Sequence, residues 1–86
     1  MSVHNSPYTI HYDLGIFATQ AYSAALTEAD RFEAADSAAE MFEIAAAKAE
    51  RGDYTRFEAA NDRARFWRQR AALHLISVNG EQAVAK

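Results

Sequence analysis

No cysteine occurs among the 86 residues, which excludes disulfides, thiolate nucleophiles and cysteine metal sites and leaves the redox compartment open. Proline occurs once and glycine three times, so few positions force a helix to break. No apolar run approaches the roughly 20 residues of a membrane-spanning helix, and the first residues lack the basic-then-apolar order of an export signal. A soluble, cytoplasmic protein without a membrane role is the expectation. The chain has no glycine-rich phosphate loop and no His-x-x-x-His or Glu-x-x-His pair to hold a metal. No catalytic residue, metal ligand or cofactor is assigned, and enzyme activity is not expected.

What the chain does have is alanine, twenty in all. Alanine favours helix and lets backbones approach closely, but each one buries little area. At this length a single core is thin, so self-association, with a dimer favoured, would add burial that one chain lacks. The net charge of −3 is unevenly spread. From Asp13 to Glu43 seven carboxylates face one base, Arg31, whereas Lys48 to Arg70 holds seven bases against four acids. Such asymmetry suggests pairing between segments or chains, and the overall acidity argues against a general nucleic-acid binder.

Two apolar rows organise the rest. Phe32, Ala35, Ala39, Phe42, Ala46 and Ala49 form one; Phe57, Ala60, Ala64, Trp67, Ala71, His74 and Val78 form the other. Folding back at Gly52-Asp53 sets large against small: Ala49 against Phe57, Phe42 against Ala64, Ala39 against Trp67. That is how a coiled-coil-like antiparallel seam fills itself. Gly52 suits the left-handed backbone after a helix, and Asp53 or Thr55 can cap the next one. The prediction is an all-α hairpin, about 28–51 and 54–78, ended by Asn79-Gly80 and followed by a flexible tail over 79–86.

Upstream, Asp13 can cap a shorter helix over about 13–26, with Leu14, Phe17, Ala21, Ala24 and Ala25 on its packing face. Thr27-Glu28-Ala29-Asp30 reads as a fresh helix start, which favours a break there over one continuous helix from Asp13 to Arg51. Tyr8, Ile10 and Tyr12 alternate with polar residues, a strand-like spacing with no second strand, so residues 1–12 read as an extended arm lying on the helices or on another subunit. The sum is one domain: a three-helix bundle with an N-terminal arm. The stretch from Ala47 to Ala60 resembles the turn of tetratricopeptide and similar helical-hairpin repeats. It covers some fourteen residues without a second copy, a likeness of turn chemistry.

A hairpin needs one seam, yet helix three has a second stripe, Phe66, Leu73 and Ile76, and helix two another, Ala34, Ala38, Met41 and Ala45. The first helix can cover only one of these stripes, leaving apolar surface near Phe66 to Ile76 for a partner. Arg56, Arg63 and Arg70 recur every seven residues and so share one line, matched on helix two by Asp36, Glu43 and Glu50. Between two chains such rows could pair; within one, Asp36 should reach Arg68 more easily than Arg70. His74 falls opposite Phe32 and reads as a packed histidine with one nitrogen satisfied, a pH-sensitive latch being the sharper alternative.

The function expected is a non-catalytic protein–protein interaction module, such as a small inhibitor, adaptor or regulator. It would self-associate and bind a partner protein through Arg56, Arg63, Arg70, Phe66, Leu73, Ile76, Tyr8 and Tyr12. The alternative is an oligomer that binds a phosphorylated small molecule, a nucleotide or a nucleic acid through the helix-three arginines.

Overall fold

The computed structural model describes residues 6–85, with side chains through residue 80; residues 1–5, His4 among them, and Lys86 lie outside the described residues. The Ser6 hydroxyl accepts from the Thr9 amide at 3.2 Å, and Pro7 takes the first helical position, where its missing N–H goes unmissed. This pair starts α1, Pro7–Ala24, well before Asp13. The extended reading of Tyr8, Ile10 and Tyr12 is thereby corrected: all three are helical, because the Ser-Pro start outweighs their alternation.

At the other end of α1, Ala25 turns to extended backbone and its N–H bonds the Tyr22 carbonyl at 3.2 Å. The Thr27 hydroxyl then accepts from the Asp30 amide at 3.0 Å and opens α2, Glu28–Lys48. The break expected at Thr27 is present. Glu28 and Asp30 lie in the first turn of α2, where the helix dipole favours carboxylates. Gly52, at φ +89°, carries the chain round, and the Asp53 carboxylate caps the Arg56 amide at 3.1 Å to begin α3, Tyr54–Ala85. Helix α2 thus stops short of residue 51.

Helix α3 does not stop at Asn79-Gly80 but runs on to Ala85, so neither the helix end near 78 nor a tail starting at 79 holds. A single glycine costs a helix only about 1 kcal/mol, and no proline follows to halt it. His74 lies beside Glu28 at the start of α2, so the later turns of α3 project past its partner helix. No helix among the described residues is long and apolar enough to cross a membrane.

All three helices are antiparallel to their chain neighbours, and α2 is the central one. Its Ala35, Ala39, Phe42 and Ala46 are buried towards Ala60, Ala64 and Ala71 of α3, which is the predicted seam. Its second stripe, Ala34, Ala38 and Ala45, is buried beneath α1. The α1 and α3 backbones scarcely approach each other, giving a flattened molecule of 56 × 24 × 14 Å. Among the described residues Phe42 is the largest fully buried side chain, in an otherwise alanine core.

Two packing expectations need correction. Phe57 is exposed rather than wedged against Ala49, because α2 has already ended and an open cavity of about 370 Å³ lies around the turn. More consequentially, α1 does not pack through Leu14 and Phe17, which are exposed. It packs through the opposite face: Tyr8, Tyr12, Gly15, Thr19 and Tyr22, spaced four and three in turn. Gly15 is what admits that face, since a Cβ there would stand 2.7–2.9 Å from three atoms of the Phe42 ring.

Candidate functional site

Because the α1 and α3 backbones come close at very few points, long side chains make most of the contact between them. Tyrosines from α1 and arginines from α3 do so. The Tyr8 hydroxyl donates to the Arg56 carbonyl at 3.0 Å, and the Arg56 guanidinium lies 5.7 Å from the centre of the Tyr8 ring. Arg63 lies 5.6 Å from the Tyr12 ring and 5.9 Å from Phe42. Arg70 lies 4.8 Å from Phe66 and 5.9 Å from Tyr22, and donates to the Tyr22 hydroxyl at 3.3 Å. The heptad spacing of the arginines thus meets a row of rings, an arrangement of cation–π contacts worth on the order of 0.5–1 kcal/mol each at exposed sites.

The rings are themselves packed. Tyr8 stacks on Tyr12 at 5.6 Å, and Tyr12 meets Phe42 edge-on at 5.1 Å. Burial, together with neighbouring Tyr12, pushes the Tyr8 phenol pKa up against the pull of Arg56. Trp67 is half-buried against the Phe42 cluster and meets Tyr22 and Phe66 edge-on at 5.0 and 5.1 Å.

Charge pairing divides the arginines into two kinds. Arg68 is committed within the chain: it reaches Asp36 at 2.5 Å and both oxygens of Glu43 at 2.9 and 3.1 Å. The Glu43 carboxylate first, and Asp36 after it, holds the Arg68 guanidinium above its ordinary pKa. The expectation that Asp36 reaches Arg68 is met. Two of the three acids proposed to pair with another chain, Asp36 and Glu43, therefore already have a partner. Arg56 has a weak contact with Asp53 at 3.7 Å. Arg63 and Arg70 have no carboxylate within 4 Å among the described residues, although both lie over rings.

Beside this row the predicted apolar stripe is open to solvent: Phe66 is 48% exposed, Leu73 67% and Ile76 68%. The eight residues singled out in sequence therefore separate. Tyr8, Tyr12, Arg56 and Arg63 line the α1–α3 crossing, Arg70 and Phe66 stand at its edge, and Leu73 and Ile76 extend the surface along the outside of α3.

One cluster escaped sequence reasoning. Glu28, Tyr22 and His74 come from α2, α1 and α3 and meet at one end of the molecule. A carboxylate only accepts, so His74 Nδ1 donates to Glu28, while Nε2 meets the Tyr22 hydroxyl at 2.7 Å. Both ring nitrogens are engaged, where one was expected, and the group beside the ring is an anion. The hydrogen bond from His74 holds the Glu28 carboxyl below its usual range. The signal for this cluster was the period Tyr8-Tyr12-Gly15-Thr19-Tyr22, hidden once residues 1–12 are read as extended.

No family model, curated protein or solved structure matches this chain.

Proposed function

We propose that the chain is a non-catalytic protein–protein interaction module, a self-associating helical domain that binds an acidic partner protein through the α3 side of the tyrosine–arginine crossing. The observation that carries this reading is the pair Arg63 and Arg70, without carboxylate partners among the described residues, beside the exposed Phe66, Leu73 and Ile76. The rings hold each guanidinium in place, so little side-chain entropy remains to be lost when a carboxylate binds. Adjacent apolar side chains would supply the desolvated centre that makes such a contact tight. Inhibitors, adaptors and regulators of this size act by occupying a surface.

Arg63→Glu and Leu73→Glu are the direct tests, since both side chains are exposed and neither substitution should unfold the domain. Capture of native partners with the wild-type chain, lost with either variant, is the expected outcome; equal capture by all three would overturn the reading. The same unneutralised arginines favour a second reading, a phosphorylated ligand. Stabilisation by nucleotides or sulfate that disappears in Arg63→Glu, with no protein captured, would replace the first reading with the second.

A further inference from the structure

Helix α1 has a second heptad stripe that none of the described residues covers. Ile10, Leu14, Phe17, Ala21 and Ala24 follow one another at steps of four and three, on the face opposite the tyrosines, and every one is exposed; Phe17 is 65% so. Between Pro7 and Leu26 the only full charge is Asp13, in contrast to the heavily charged outer faces of α2 and α3. An apolar helix with both faces suited to packing, and almost no charge, has the character of an interior helix.

The stripe is self-complementary. Laid antiparallel on a copy of itself about a twofold axis at Phe17, it sets Leu14 against Ala21 and Ile10 against Ala24, large against small on either side of a central Phe17–Phe17 pair. This is the rule by which α2 and α3 pack within the chain. Asp13 falls opposite Gln20 and Ala21, away from its own symmetry mate. Beside the stripe lies an open groove of about 590 Å³ between α1 and α2, floored by alanines and rimmed by Asp30 and Glu33. In this register the first turn of the partner's α1, the positive end of its helix dipole, comes to those two carboxylates.

We propose that this face is a homodimer interface, in which α1 packs antiparallel on α1 of a second copy with Phe17 at the twofold axis. The seam from Ile10 to Ala24 is about 21 Å long. Such a seam alone is small beside the roughly 1,200 Å² of total area that stable complexes bury, so the groove rim is part of the contact and dissociation in the micromolar range is expected. The interface is distinct from the α3 surface assigned above, and both can be occupied at once.

The chain has no cysteine, so single introduced cysteines report the register cleanly. Phe17→Cys should give a covalent dimer under mild oxidation. Ile10→Cys alone should not, nor Ala24→Cys alone, but an equimolar mixture of the two should cross-link. In parallel, light scattering across a concentration series of the full chain should show a monomer–dimer equilibrium, and Phe17→Glu should weaken it at least tenfold with the helical circular dichroism unchanged. A strict monomer at all concentrations overturns the proposal. So does cross-linking of Ile10→Cys with itself, which marks a parallel pair, or of Leu73→Cys in place of Phe17→Cys, which moves self-association to α3. Loss of partner capture in Arg63→Glu with dimerisation intact leaves this interface standing, so the two surfaces succeed or fail separately.

Discussion

Single atoms decide much of this molecule, and Gly15 is the clearest case. A methyl group there would be driven into the buried ring of Phe42, so α1 would have to lift away from it. Gly15→Ala should therefore destabilise by about 1–3 kcal/mol in chemical denaturation, although alanine is the better helix former. Glu28 acts through charge. Its carboxyl pKa is lowered in the folded chain, first by the hydrogen bond from His74, so the stability it contributes is complete above about pH 4.5 and lost as pH falls through the lowered value. Glu28→Gln should flatten the acid side of the stability–pH curve in that window, as followed by thermal melts from pH 7 to pH 2. Neither role was legible in the sequence as a single residue. Gly15 was a glycine among three, and Glu28 gained its role from His74, forty-six positions away.

Helix ends show local chemistry prevailing over pattern at one terminus and pattern over local chemistry at the other. Ser6-Pro7 is a short signal, a cap and a first-position proline, yet it converts an alternating Tyr-Thr-Ile-His-Tyr stretch into helix. Ser6→Ala should cost about 1 kcal/mol and loosen the Tyr8–Arg56 contact, measurable as faster amide exchange in the first turns of α1. Asn79-Gly80 carries the composition of a stop, yet α3 continues through it. Because a Cβ at Gly80 would meet nothing within 4 Å, Gly80→Ala should stabilise by about 0.5–1 kcal/mol and increase helical ellipticity. The α2–α3 turn was readable in advance, since Gly52 and Asp53 each do what their residue type does best. The α1–α2 break was also readable, from Thr27 followed by two acids.

Among the described residues the fully buried core is alanine around the Phe42 ring, with tyrosines and Trp67 packed at its margin, so its reserve of stability is narrow. Phe42→Ala should cost about 3–5 kcal/mol, a large share of what a domain of this size possesses, and is expected to leave the chain unfolded or loosely packed by near-ultraviolet circular dichroism. Trp67 is only half-buried, so Trp67→Ala should cost less than Phe42→Ala in the same assay. The flattened shape has the same origin: a central α2 with two buried stripes holds its neighbours apart, and tyrosines and arginines close the remaining distance.

By itself the sequence determined that the chain is helical, where two of its helices part and turn, and how the middle of α2 meets α3. Each of these follows from residue type and spacing along one helix, which the linear order carries directly. Only the tertiary structure decided which of the two heptad faces of α1 turns inward. Both faces have apolar periodicity; the choice rests on a glycine fitting a phenylalanine ring, and on hydroxyls reaching arginine and histidine on a helix with which α1 makes almost no backbone contact. Those distances exist only once three helices are assembled, and they leave Phe17 and its stripe facing outwards.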